Sequence, residues 1–150
     1  MSSPFRDILS EFTDARVEYL LVGAYALAAH GLIRGTGDID LWIHATPENA
    51  KRVEQAMLRF GAPRELFNVD DFAQPSMVVQ VGVPPYRIDI LTDLTGVEWE
   101  QAWEDRFVST FEGVEVPVLS RAHVIANKRA TNRPKDQLDL AWLEQGPSSE

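Results

Sequence analysis

The stretch from Tyr19 to His44, YLLVGAYALAAHGLIRGTGDIDLWIH, restricts the fold of this chain more than any other. An apolar run stops at a glycine, an alanine-rich segment follows, and a polar loop leads into Asp38-Ile39-Asp40-Leu41-Trp42-Ile43. The pattern predicts a strand over 18–22, a short buried helix over 24–30 closed by Gly31, and a second strand over 38–43. Side chains alternate faces along a strand, so Asp38 and Asp40 share one face while Ile39, Leu41 and Ile43 share the other. Such a strand is anchored by its apolar side and holds two carboxylates together on the opposite side, which suits a hard cation such as Mg²⁺. At Gly23-Ala24 a strand gives way to a helix, and free backbone N–H groups there can receive a phosphate. A later stretch, Tyr86-Arg87-Ile88-Asp89-Ile90-Leu91, adds a third carboxylate, Asp89, with the same alternation. The plainer alternatives are a turn glycine and strand-end carboxylates facing water.

The remaining pattern is that of one α+β domain. Ser3-Pro4 caps an amphipathic helix with Phe5, Ile8, Leu9, Phe12 and Ala15 at helical spacing, running to about residue 16. Thr46-Pro47-Glu48 opens another, with Ala50, Val53, Met57 and Phe60 on one face. Residues 62–75 are polar and proline-punctuated and read as a loop with at most one turn of helix, a candidate to face a substrate. Strands over 77–83 and 86–92 flank Pro84-Pro85, a short helix spans 97–105, and a hairpin over 107–111 and 114–119 turns at Glu112-Gly113. Ser120 caps a helix to about Thr131, and Pro134 starts the last, ending near Gly146. The expected domain is 1–146, with 147–150 a disordered tail. Trp99, Trp103 and Trp142 fall at helical core positions, whereas Trp42 shares the acid-pair face and is free to stack on a base. His30 reads as a helix-end cap, and neither His30 nor His44 is assigned to chemistry.

Composition narrows the function. The chain has 150 residues, 45% of them hydrophobic, enough for one domain with a core. It has no cysteine, which excludes disulfides, zinc–thiolate centres and cysteine nucleophiles. The N-terminal segment lacks a basic region followed by an apolar run, and the longest apolar stretch is too short to span a bilayer. A cytoplasmic location without membrane attachment is expected. The net charge of −9 argues against indiscriminate nucleic-acid binding. Even so, Arg121, Lys128, Arg129, Arg133 and Lys135 crowd into one stretch, either a solvated face or a strip that grips a triphosphate or an RNA end.

In order along the chain, Gly23-Ala24, Asp38-Ile39-Asp40 and Asp89 resemble the DNA polymerase beta-like nucleotidyltransferase superfamily. The segment from Lys128 to Leu140, KRATNRPKDQLDL, looks like that of the abortive-infection, toxin-type nucleotidyltransferases and their small relatives. The resemblance implies a mixed sheet with helices packed on it. It also implies two Mg²⁺ ions (or Mn²⁺) and transfer of a nucleoside monophosphate from an NTP to a hydroxyl. Asp38 and Asp40 would hold both ions, about 3.5–4 Å apart in such sites, and Asp89 would complete the ion that activates the nucleophile. Gly23 and Ala24 would meet the phosphates, with Arg34 and Thr36 in the family's Arg-x-Thr-x-Asp-x-Asp arrangement. Lys128 would neutralise the leaving pyrophosphate, and Asp136 would orient Lys128 or assist beside it. Position 24 departs from the family, since alanine lacks the hydroxyl that relatives often provide. Lys135 and Asp139, four residues apart, have the alternative of a surface ion pair.

The implied acceptor is RNA, such as a tRNA 3′ end in a toxin–antitoxin setting, with a small molecule such as an antibiotic, or a protein hydroxyl, as the alternative. A non-catalytic nucleotide-binding module, or an antitoxin-type partner of the same fold, is the competing class. An edge strand left open by a mixed sheet would suit a homodimer. Histidine is scarce and none is spaced with the acid pair, which argues against a metal-dependent phosphohydrolase.

Overall fold

Three helix starts are written into the chain as a hydroxyl residue beside the first turn. In the computed structural model, which describes residues 3–33 and 35–145, each makes its cap. Ser3 Oγ accepts from the Arg6 N–H, Thr46 Oγ1 from Asn49 and Ser120 Oγ from His123, contacts worth about 1 kcal/mol each. They open α1 (Pro4–Asp14), α3 (Pro47–Phe60) and α5 (Arg121–Thr131). The other helices are α2 (Gly23–Ala29), α4 (Trp99–Glu104) and α6 (Pro134–Glu144). The strands are β1 (Tyr19–Val22), β2 (Asp38–Ile43), β3 (Val78–Val81), β4 (Arg87–Leu91), β5 (Phe107–Phe111) and β6 (Val114–Val118). The expected tail over 147–150 lies outside the described residues.

The six strands form one mixed sheet in the order β3-β4-β2-β1-β6-β5. The β4–β2 and β1–β6 pairings are parallel, and the rest antiparallel. Both faces are covered. Ile39, Leu41 and Ile43 of β2, with Tyr19, Leu21, Ile88 and Ile90, pack under Phe5, Ile8, Leu9 and Phe12 of α1 and Val53 and Met57 of α3. On the other face Leu20, Val22 and Trp42 meet Ala102 of α4, Val124 of α5 and Leu143 of α6. The α+β expectation is therefore met, and β2, with its acid pair, lies centrally.

Packing refines two expectations. Residues 62–75 are a loop with short helical turns, partly anchored in the core. They contain two 3-10 turns, Arg64–Leu66 and Val69–Ala73. Phe72 is wholly buried in the core beneath α1 and α3, and Phe67, Val69 and Ala73 pack beside it. Polar spacing concealed an apolar anchor there. Trp42 is buried too, edge-on against Trp99 with ring centroids 5.0 Å apart, so it is not open to a base. Strand parity gives a side chain's face, but whether helices cover that part of the face is decided by tertiary packing.

Candidate active site

Register assembles the acidic centre. In the parallel β2–β4 pair, Asp40 lies opposite Asp89 and Asp38 opposite Arg87. On the other side of β2, the antiparallel partner of Asp40 is Val22, the last residue of β1, which brings Gly23 beside the Asp40 carboxylate. Gly23 has a φ of +70°, and a Cβ added there would stand 2.1 Å from Asp40 Oδ2. Glycine is therefore required both for the left-handed turn and for the space Asp40 occupies. Oxygen atoms of Asp38, Asp40 and Asp89 lie within 4.8 Å of one another. Three hard anionic donors so grouped fit a divalent cation such as Mg²⁺ or Mn²⁺.

Each carboxylate is held differently. Thr36 Oγ1 donates to Asp38 Oδ1 at 2.6 Å, so the Thr36 hydroxyl fixes a carboxylate although its residue still lines the cleft. Arg87 Nη2 donates to Asp38 Oδ2 at 2.7 Å. The same guanidinium forks onto Asp89, through Nε to Oδ1 at 3.0 Å and Nη2 to Oδ2 at 3.1 Å. The sequence motif does not single out Arg87, although it lies two residues before Asp89 on the same strand face. Asp40 has no cationic partner among the described residues. Its pKa is pushed up to about 7, chiefly by burial and then by the charges of Asp38 and Asp89.

Facing the triad from α5 and α6 is a second cluster of charges. Lys128 is buried, with Nζ 3.1 Å from Asp136 Oδ1 and 3.0 Å from Asp139 Oδ2. Asp136 is fully buried and also accepts from Thr131 Oγ1 at 2.6 Å, the Arg133 backbone N–H at 3.0 Å and Arg133 Nε at 2.8 Å. Burial alone would raise its pKa, but the bonds from Arg133, Thr131 and Lys128 hold it well below the usual carboxylate range. Asp136 thus holds Lys128 in place, with no surface left for a nucleotide. Asp139 turns inward to Lys128 instead of forming a surface pair with Lys135, because the i, i+3 spacing of Asp136 and Asp139 aims both carboxylates at one point.

Between the clusters runs a cleft with two lobes that share Gly23, Asp40, Lys128 and Arg133. The polar lobe, ≈ 360 Å³, adds Ala24, Thr36, Asp38 and Lys135 to its walls. The other, ≈ 570 Å³, is lined by Leu91, Leu94, Leu119, Val124 and Asn127 among others. Gly23, Ala24, Thr36, Asp38, Asp40 and Lys128 therefore meet in one place, and Arg133 and Lys135 join them. Arg34 lies outside the described residues. His30 ends α2, as its position beside Gly31 suggested, and its ring bonds the Leu119 carbonyl oxygen at 2.9 Å. His44 lies at the end of β2, bonded to Glu18 at 2.7 Å and stacked on Trp99.

No protein-family model matches the chain, and no curated protein matches it in sequence. Solved structures match it over nearly its whole length. A nucleotidyltransferase-like protein of Thermotoga maritima is 16% identical, with a TM-score of 0.62 over 95% of this chain and 91% of its own. The lincosamide antibiotic adenylyltransferase LnuA, solved with lincomycin, is 17% identical, with a TM-score of 0.62 over 96% of both chains. ANT(2")-Ia, solved with adenylyl-2"-tobramycin, is 13% identical, with a TM-score of 0.59 over 95% of this chain and 87% of its own. The fold is that of the nucleotidyltransferases.

Proposed function

We propose that the protein is a divalent-metal-dependent nucleotidyltransferase that moves a nucleoside monophosphate from an NTP to a hydroxyl acceptor. The observation that carries this reading is the Asp38–Asp40–Asp89 triad built against the Gly23 turn. Asp38 and Asp40 would hold the cations, with Asp89 completing the set. When bound, such ions gather the triphosphate and lower the pKa of the attacking hydroxyl. The acceptor oxygen forms a bond to the α-phosphorus, the bond from that phosphorus to the bridging oxygen breaks, and pyrophosphate leaves. Asp89 would help activate the acceptor hydroxyl and take its proton. The Gly23 and Ala24 N–H groups meet the phosphates, alanine offering backbone alone.

Lys128, Arg133 and Lys135 line the polar lobe and offset the charge on the departing pyrophosphate. Lys128 shares its charge with two carboxylates, so the larger part of the attraction comes from Arg133 and Lys135.

The toxin-like segment from Lys128 to Leu140 favours an RNA end as acceptor, with an antitoxin-type protein as partner. A small hydroxylated molecule is the second reading, supported by near full-length likeness to two antibiotic-modifying enzymes. The test is label transfer from each α-labelled NTP, with Mn²⁺ or Mg²⁺, to total RNA and separately to a panel of hydroxylated antibiotics. Label that vanishes with Asp38→Ala supports the transferase and selects between acceptors. If no acceptor is labelled and no NTP binds in the presence of metal, the enzymatic reading is wrong.

A further inference from the structure

Arg87 is the one cationic side chain bonded to the triad among the described residues, and the motif that marks the triad does not include it. Parallel pairing of β2 with β4 sets it opposite Asp38, and strand alternation sets it on the same face as Asp89. Its guanidinium engages both oxygens of Asp89 and one of Asp38, while Thr36 takes the other Asp38 oxygen. A planar fork is suited to this double engagement, which a lysine could not reproduce. The arrangement balances one positive charge against three carboxylates that crowd within 4.8 Å.

Arg87 engages two of the three carboxylates that a divalent cation would draw on. Guanidinium and cation carry the same sign and draw on the same carboxylates, so each weakens the other's hold. The Arg87 side chain is 33% exposed, which leaves it an outward path on its flexible stem.

We infer that Arg87 is an exchangeable counter-cation. It holds Asp38 and Asp89 in place while the site lacks metal, and it releases them when a divalent ion binds. This deepens the nucleotidyltransferase reading and rests on it for the purpose of the ion. Without nucleotide the guanidinium depresses metal affinity. An NTP carries its own charge to the site, giving the released Arg87 an anionic partner, so ion and nucleotide bind together.

The test is direct titration of the metal-free protein with Mn²⁺, following free Mn²⁺ by electron paramagnetic resonance, with and without a non-hydrolysable NTP analogue. Arg87→Gln is expected to bind Mn²⁺ about ten-fold more tightly than the native protein in the absence of nucleotide. That is the factor expected when one competing charge-assisted contact is removed. Arg87→Lys, which keeps the charge but loses the fork, should tighten binding by about three-fold on the same scale. Arg87→Gln should also melt at a lower temperature than the native protein without metal and recover once Mn²⁺ is added.

Equal or weaker Mn²⁺ binding by folded Arg87→Gln would overturn the exchange, leaving Arg87 a plain brace for the carboxylates. If Arg87→Gln does not fold without metal, Arg87→Lys decides by the same criterion. Should native and variant proteins all fail to bind Mn²⁺ even with nucleotide, the nucleotidyltransferase reading falls along with the exchange. Binding that is present but indifferent to Arg87 sinks the exchange alone.

Discussion

The two charge clusters that face each other across the cleft are built from similar side chains to opposite ends. Around Lys128, Asp136 and Asp139 meet Lys128 and Arg133. Around Asp40, three carboxylates meet one guanidinium among the described residues. The central carboxylate of the first cluster is saturated with donors, as a structural joint requires. The second has a member, Asp40, with no cationic partner among the described residues, as a receptor for cations would require. Surplus charge, rather than the number of ion pairs, separates the site from the scaffold.

Breaking the joint should be the most damaging change. Asp136→Ala leaves Lys128 short of a partner and frees four further donors, and about 3–5 kcal/mol of stability should be lost. Chemical denaturation would measure it, and a loss under about 1 kcal/mol would show that the cluster behaves as a surface pair. At the receptor, the same kind of truncation should act the other way. Asp40→Asn is expected to cut nucleotidyl transfer by roughly 10³-fold, the several kcal/mol attributed to metal-assisted charge stabilisation. It should nonetheless leave the metal-free protein as stable as the native one at neutral pH, or more so.

The pH dependence has opposite signs at the two clusters. Asp40 has a raised pKa in the folded state, so its contribution is full below its ordinary pKa of 3.8 and is lost as pH rises toward about 7. Asp136 has a lowered pKa, so its contribution is full above the ordinary value and is lost as pH falls. Thermal melts in chelator should therefore decline on both sides of about pH 4 as far as these two groups decide. Asp40→Asn should flatten the alkaline limb, and Asp136→Asn the acid limb. Added Mn²⁺ should lift the alkaline limb in the native protein, and a profile unmoved by either substitution would refute the contrast.

Smaller effects refine it. Gly23→Ala places a methyl against Asp40 and forces an unfavourable φ, at a cost of about 1–3 kcal/mol, and it should weaken Mn²⁺ binding as it displaces the carboxylate. Lys135→Ala, on the exposed rim of the polar lobe, should raise the KM for NTP by about three- to ten-fold, a contact worth about 1 kcal/mol, and leave stability unaltered. Steady-state kinetics beside a melting curve would separate the two results.

Much of this was legible in the chain because it is local. A hydroxyl before a proline marked the caps at Ser3 and Thr46, a serine alone marked that at Ser120, and period-two alternation put Asp38 and Asp40 opposite Ile39 and Leu41. What escaped depends on partners distant in sequence. Arg87 gains its meaning from pairing with Asp38 in another strand. Trp42 is closed off by Trp99, and Phe72 is drawn into a core formed by α1 and α3. Asp139 looked like half of a surface pair until the packing of α6 on α5 put Lys128 within its reach.

The alternation along β2 also bears on how the chain finds its fold. Moving β2 by one residue against its neighbours would exchange its two sides, driving Asp38 and Asp40 among the apolar chains of α1 and α3 and turning Ile39, Leu41 and Ile43 toward the opposite face. Burying even one unpaired carboxylate costs several kcal/mol, comparable with the whole stability of a small domain. The acidic residues therefore make misaligned pairings of the central strand unaffordable during folding. Two carboxylates on one central strand thus guard the alignment of the strands beside it.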